Sequence, residues 1–293
     1  MTPPIDTKSR PSVLMLAHAA KPRIELRAAE LLPVLEKHVD IVATVEDFSC
    51  ELPPNVKDYD EIDFVVVLGG DGSMLRAAHA MGYCQKPVLG INLGHLGFLA
   101  DIQPENLEAM LPQVVAGDYQ VVSHLMFECD VQRQGEPSLN VLGLNEVAVL
   151  AGPPFAIIEV QLYVDGELVT TYSCDGLIVS TPVGSTAHNL SAGGPILRKS
   201  LQAFVISPIS PHTLTNRPVV DTADRVYELV VPEPHEGTSL VVDGKVVCQL
   251  AAEDRIRITR SKAQFQLIEV HGHGYYRTLR EKLGWGGRLK FNN

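Results

Sequence analysis

Asp71 sits between Gly70 and Gly72, with Gly69 before them, and no other carboxylate in the chain is so framed for chemistry. The preceding run, Phe64-Val65-Val66-Val67-Leu68, is wholly apolar, and Ser73-Met74-Leu75-Arg76-Ala77-Ala78 follows with good helix formers. A buried strand, a tight glycine turn and a helix start present backbone N–H groups to phosphate. Gly69, Gly70 and Gly72 would let phosphates approach those amides closely. A carboxylate in such a turn is ionised at neutral pH, so it can accept a proton from an attacking hydroxyl or position a divalent cation. The residue types leave both roles open, and also the plainer one in which an Asp or Ser caps the helix. The combination points to phosphoryl transfer. Arg76, one turn into the helix, carries a guanidinium suited to a phosphate or to a solvated ion pair.

A second set of polar residues lies further along. Asn145-Glu146 separates two strand-like runs, Val141-Leu142 and Val147-Ala148-Val149. An amide beside a carboxylate suits the vicinal hydroxyls of a ribose, and equally an ordinary surface turn. Asp175 to Pro195 reads as a strand running into a stretch rich in Pro, Gly, Ser and Thr. Small side chains with free amides and hydroxyls permit close approach of a dinucleotide. Ser185 and His188 do not read as a hydrolase pair, because no strand–nucleophile–helix elbow surrounds them. His271-Gly272-His273 offers two imidazoles on a glycine-rich tail, too few for a metal site. Arg255, Arg257, Arg260 and Lys262 read as a solvated strand face.

The elements that must position these residues fall into two groups. Strand-like segments at 13–16, 39–45, 64–68 and 88–92 alternate with helix-like ones at 24–35, 73–81 and 104–115, the last opened by Pro104. That alternation predicts a Rossmann-like α/β domain with a parallel sheet, whose ligands sit beyond the carboxyl ends of the strands. The glycine turns at 69–72 and 94–97 both fall at such ends. From Tyr119 strand-like runs follow one another: 119–131, 139–150, 156–164, 167–173, 176–180, 203–207, 225–231, 239–242, 246–250, 254–259 and 264–270. Asp165-Gly166 and Asp243-Gly244 separate such runs where hairpins want positive φ. The expected domains are therefore 1–118 (α/β, carrying the glycine turn) and 119–270 (mostly β, sandwich-like). Residues 271–293 form a tail whose helix, Tyr275 to Leu283, is expected to pack back on the first domain.

Composition narrows the partners. The chain has 293 residues, 45% hydrophobic and 20% charged, ample for a core. A net charge of −11 without a basic run argues against nucleic acid as a partner. Five widely spaced cysteines without a Cys-x-x-Cys pair argue against a disulfide framework or structural zinc, and for a reducing compartment. The start, Met1 to Lys8, lacks the apolar segment of a signal peptide, and no stretch approaches the ~20 residues needed to cross a bilayer. Cytoplasmic residence, with no membrane partner, is the expectation.

The Gly-Gly-Asp-Gly turn resembles that of a kinase superfamily that includes NAD kinases, diacylglycerol and sphingosine kinases, and phosphofructokinases. Gly90-Ile91-Asn92-Leu93-Gly94-His95-Leu96-Gly97-Phe98-Leu99, the Asn145-Glu146 pair and the segment Asp175 to Pro195 are similar to signatures of the NAD kinases within it. Pro208-Ile209-Ser210-Pro211-His212, Asn216-Arg217-Pro218 and Val242-Asp243-Gly244 agree in order and spacing. The resemblance implies ATP-dependent phosphorylation of the 2′-hydroxyl of the adenosine ribose of NAD⁺, with Asp71 catalytic and Mg²⁺ or another divalent cation accompanying ATP. It places Gly69, Gly70 and Gly72 at the ATP phosphates and assigns Asn145 and Glu146 to the adenosine ribose. Asp175 goes to the nicotinamide half. Asp71, Gly72, Arg76, Phe98, Val183, Thr186, Ala187, His188, Asn189, Leu190, Ser191 and Lys245 complete the NAD-binding set. It also implies a homodimer or homotetramer. Many members carry Tyr where this chain has His188, Arg where it has Ser173, and Gln where it has Lys245.

Overall fold

The computed structural model describes residues 10–17, 22–48, 59–94, 97–100, 102–213, 215–270 and 275–284. The chain divides into two compact units, residues 1–123 with 266–293, and residues 124–265.

In the first unit β1 (Ser12–Ala17), α1 (Pro22–Glu36), β2 (Asp40–Val45), β3 (Phe64–Gly69), α2 (Asp71–Met81), β4 (Val88–Asn92) and α3 (Leu107–Val115) follow in order. The strands lie as β2-β1-β3-β4, all parallel. The end of the last strand of the chain adds a fifth, Leu267 pairing with Val88 in parallel. Strands β3 and β4 are buried at every residue, which is why their sequences are continuous apolar runs rather than alternating ones. Leu31 and Leu35 of α1 and Leu107, Leu111 and Val114 of α3 join the same core. Two expected boundaries move. α2 starts at Asp71 rather than Ser73, with Gly70 as its cap, because an acid in the first turn suits the helix dipole. The 104–115 helix opens as a 3-10 turn, Pro104–Asn106, before α3 proper.

The second unit holds β5 (Tyr119–Gln132, which enters it from the first), β6 (Leu139–Gly143), β7 (Glu146–Leu150), β8 (Ile158–Val164), β9 (Glu167–Cys174) and β10 (Gly176–Ser180). After α4 (His188–Ser191) come β11 (Ala203–Ile209), β12 (Val219–Thr222), β13 (Tyr227–Val230), β14 (Ser239–Val242), β15 (Lys245–Gln249) and β16 (Arg255–Val270). One antiparallel sheet runs β12-β11-β10-β7-β14-β15. The other runs β16-β13-β8-β9, with β5 on β16 and β6 on β5. Val147, Leu177, Phe204 and Leu240 of the first pack with Phe127, Val160, Tyr227 and Ile256 of the second in one buried cluster, so the unit is a sandwich. Both hairpin turns have the positive φ pairs of a type I′ turn: 51° and 83° at Asp165-Gly166, 48° and 78° at Asp243-Gly244.

Three strand expectations change. The 139–150 run breaks into β6 and β7 at Leu144-Asn145. The 254–259 and 264–270 runs are one strand, carried through by Ser261, whose hydroxyl donates to Glu128 and accepts the Ala263 N–H. β12 was not expected, being a short edge with three of its four residues exposed. The terminal helix α5 (Tyr275–Leu283) forms as expected, whereas His271-Gly272-His273 lies outside the described residues. Among the described residues no helix is long and apolar enough to cross a membrane.

Candidate active site

The two glycine motifs of the first unit meet at adjacent strand ends. β3 and β4 are paired so that Gly69 lies opposite Asn92, and Leu93 N donates to Gly69 O at 3.3 Å. Beyond β4 the chain turns sharply, Asn92 Oδ1 accepting from Gly94 N at 2.9 Å, and comes back along the strand where Ile102 O accepts from Asn92 N. The returning residues aim their amides at Asp71. Phe98 N donates to Oδ2 at 2.8 Å, and Leu99 N and Ala100 N donate to Oδ1 at 2.9 and 3.3 Å. Lys282 of α5 stands 3.5 Å from Oδ2, with its ammonium 4.1 Å from the centroid of the Phe98 ring. Asp71 therefore caps no helix; its carboxylate is a half-buried anion fixed by a ring of backbone donors and one cation.

Glycine is required at two points of this arrangement. Gly69 has φ 151°, and a Cβ there would collide with Ser73 Oγ. A Cβ on Gly97 would strike Asp71 Oδ1 and lie 2.8 Å from Ala100 O. Gly97→Ala is accordingly expected to displace the carboxylate and cut turnover by about tenfold to a hundredfold, with the circular dichroism of the wild type and a lowered melting temperature. Unchanged turnover in that variant would show that the position of Asp71 is unimportant. Gly70 and Gly72 face open space, which leaves the start of α2 approachable. The Arg76 guanidinium donates to Ser73 Oγ at 3.1 Å and lies 5.9 Å from the Phe48 ring. Burial lowers its pKa, and its Nε has no hydrogen-bond partner among the described residues.

In the second unit, the Asn145-Glu146 corner is held from both sides. Asp243, in the β14–β15 turn, accepts from the N–H groups of Leu144, Asn145 and Glu146 at 2.7, 2.7 and 3.0 Å. On the carbonyl side, Thr181 Oγ1 donates to Leu144 O at 2.6 Å, while Thr181 N and Ser180 Oγ donate to Asn145 O. Asn145 is half-buried and Glu146 is 6% exposed. Burial, reinforced by the Asp243 charge, pushes the Glu146 carboxyl up to about 8, although the His188 N–H favours its ionised form. One of its oxygens has no partner among the described residues. Glu146 thus ties the corner to the start of α4.

The 183–191 segment is a 3-10 turn (Gly184–Thr186) and the single turn α4, where sequence suggested a loop. His188 and Ser191 are exposed, Thr186, Ala187 and Leu190 half-buried, and Val183 buried. Asn189 points into the protein rather than outward. It is fully buried, donates to Ser185 O and Pro195 O at 3.1 Å each, and accepts from Ser207 Oγ at 2.6 Å, so its side chain braces the segment. Asp175 is exposed between β9 and β10, with His212 Nε2 4.0 Å from Oδ1. Lys245 is exposed at the start of β15. Asp243 and Lys282 carry structure at these sites without having been singled out as candidates. Asp243 stood in a turn signal, whereas nothing local marked Lys282.

Among the described residues no three His, Cys, Asp or Glu side chains gather as a metal cage. A divalent cation that travels with a nucleotide takes most of its ligands from phosphates and water, and Asp71 is the carboxylate beside the α2 start. That donor set fits a nucleotide-borne cation.

Residues 14–119 match the family model described as ATP-NAD kinase N-terminal domain, and residues 144–270 match the ATP-NAD kinase C-terminal domain. An NAD kinase of Rhodopirellula baltica is 51% identical over 279 residues, covering 95% of this chain and 88% of that one. An NAD kinase of Azotobacter vinelandii is 42% identical over 265 residues, 87% of this chain and 89% of the relative. Among solved structures, the yeast NADH kinase complexed with NADH shares the fold at TM-score 0.84 and 22% identity, covering 98% of this chain and 91% of its own. An Archaeoglobus fulgidus NAD kinase in complex with ATP aligns at TM-score 0.69 and 29% identity, over 94% and 99% of the two chains. With both domain models and relatives at this identity over most of its length, the chain belongs to the ATP-NAD kinase family.

Proposed function

We infer that this chain transfers the γ-phosphoryl group of ATP to the 2′-hydroxyl of the adenosine ribose of NAD⁺, giving NADP⁺ and ADP. The observation that carries the reading is the Asp71 carboxylate gripped by the amides of residues 98–100. Two motifs that sequence presents separately form one anionic centre beside an open helix start. In the reaction the bond from Pγ to the ADP oxygen breaks as the bond from Pγ to O2′ forms, and the hydroxyl proton leaves to solvent, by way of Asp71 where Asp71 is the base. Asp71 acts as base or as orienter of that hydroxyl, its direction fixed by the amides. Gly69, Gly70 and Gly72 leave the α2 amides open to the ATP phosphates.

Asn145 and Glu146 hold the adenosine ribose, and the rigid Asp243 and Thr181 contacts fix where its hydroxyls point. Asp175 meets the nicotinamide half, with Phe98, Val183, Thr186, Ala187, His188, Leu190, Ser191 and Lys245 around the dinucleotide and Arg76 near its phosphates. The divalent cation that ATP brings would neutralise phosphate charge in a loose transition state. A homodimer or homotetramer is carried by the resemblance alone, and cytoplasmic residence by the widely spaced cysteines that point to a reducing compartment. The test is one assay panel with ATP or polyphosphate as donor and NAD⁺, NADH, diacylglycerol and fructose 6-phosphate as acceptors. NADP⁺ formation from ATP and NAD⁺ is expected. NAD⁺ binding without an ATP-dependent product would mean a dinucleotide sensor instead.

A further inference from the structure

Among the described residues the Asp71 carboxylate meets four donors. Two carboxylate oxygens offer about four lone-pair sites. The N–H groups of Phe98, Leu99 and Ala100 take three, and the Lys282 ammonium faces the fourth from 3.5 Å. A substrate hydroxyl that is to give its proton to Asp71 gains room on Oδ2 where a donor moves aside. Three are backbone groups of a single turn that Gly97 packs against the carboxylate. The fourth ends a flexible four-carbon stem. Its contacts among the described residues are weak ones, a long ion pair to Oδ2 and a cation–π contact 4.1 Å from the Phe98 centroid. Lys282 is the donor that can move.

ATP supplies a destination. A compact ammonium with three donors suits phosphoryl oxygens, and the approachable start of α2 beside Asp71 is where phosphates are drawn. A triphosphate brought next to the Asp71 carboxylate is repelled unless a cation stands between them. We propose that Lys282 is a phosphate-binding residue of this centre: from its place 3.5 Å from Asp71 Oδ2 it reaches the phosphoryl oxygens of bound ATP, and the room it leaves on Oδ2 goes to the 2′-hydroxyl. The proposal rests on the reading of Asp71 as the reaction centre. It makes α5, from the far end of the chain, part of the ATP site and couples ATP binding to the readiness of Asp71.

The test compares the full-length chain with Lys282→Met and Lys282→Arg. Initial rates are measured over a range of ATP at saturating NAD⁺, and ATP and NAD⁺ are titrated separately at equilibrium. Lys282→Met is expected to raise KM and the dissociation constant for ATP about tenfold and to lower kcat by about tenfold to a hundredfold. NAD⁺ affinity should stay within about twofold, and Lys282→Arg should recover most of the loss. ATP affinity and kcat both unchanged in Lys282→Met would overturn the proposal. Equal losses of ATP and NAD⁺ affinity, as loosening of α5 would produce, would overturn it too. If the wild-type chain forms no NADP⁺, the assignment of the reaction falls, and the ATP titration of Lys282→Met still decides what Lys282 binds. Lys282→Gln serves in place of Met should the Met variant not fold.

Discussion

Asp71→Asn is expected to lose about 10²–10⁴-fold in turnover while the chain still binds NAD⁺. The substitution keeps the size and one acceptor oxygen, so it removes the charge and the ability to take a proton without opening a cavity. It also does something the bare motif does not suggest. Each Asp71 oxygen accepts from the turn after β4, Oδ2 from Phe98 and Oδ1 from Leu99 and Ala100. An amide NH₂ placed at either position faces an N–H donor instead of accepting from it. The 97–100 turn should therefore loosen on one side, and the counter-charge of Lys282 lies beside a neutral group. Steady-state rates and equilibrium NAD⁺ titration separate these consequences. Low kcat with NAD⁺ affinity within about tenfold supports Asp71 as the group that handles the hydroxyl. Turnover within about tenfold of wild type would remove it from the chemistry. Loss of NAD⁺ binding with the remaining turnover intact would make it a binding residue only.

How much of this could be read from sequence divides along a physical line. The β3–α2 junction was legible because its signals are contiguous: an apolar run, glycines, then helix formers. The hairpins at Asp165-Gly166 and Asp243-Gly244 were legible for the same reason, since a type I′ turn writes its φ demand into two adjacent residues. The partners of those residues were not. Asp71 pairs with amides of residues 98–100, and backbone amides have no residue type to betray them. Asp243 reads as a turn residue, yet it spends its carboxylate on the amides of residues 144–146, far off in the sequence. Asn189 enters the NAD-binding set through the resemblance; only tertiary packing shows Ser207 and Pro195 closing around its side chain. Lys282 sits on a helix of ordinary surface composition, and its contact with Asp71 comes entirely from where α5 lands. β16 shows the converse failure. A polar stretch at Ser261-Lys262 reads as a break, but the ladder continues because Glu128 and the Ala263 amide satisfy the serine hydroxyl.

Glu146 carries the second large expected effect, and it is a pH effect. In the folded chain burial first, and then the Asp243 charge, push its carboxyl from 4.5 up to about 8. Between those values the folded chain holds a proton that the unfolded chain has lost, so its contribution to stability falls as pH rises through that window. The penalty is absent below pH 4.5, grows towards 8 and is complete above it, on the order of a few kcal/mol. Glu146→Gln cannot ionise. Wild type should therefore lose more melting temperature between pH 6 and pH 9 than the Gln variant does, and parallel losses would show that Glu146 is not the source.

The same protonation state decides how Glu146 meets a ribose. At pH 7 a protonated carboxyl donates a hydrogen bond, as the Gln amide does, so Glu146→Gln should keep NAD⁺ affinity within about fivefold. Glu146→Ala should lose about tenfold or more, because the corner braced by Asp243 and Thr181 then has only the Asn145 amide to offer the ribose hydroxyls. Above pH 8 the wild-type carboxylate can only accept, and its NAD⁺ affinity should decline while that of the Gln variant stays level. A loss of about a hundredfold in the Gln variant at pH 7 would mean that the ribose needs an acceptor there, and that bound dinucleotide draws Glu146 back to its ionised form.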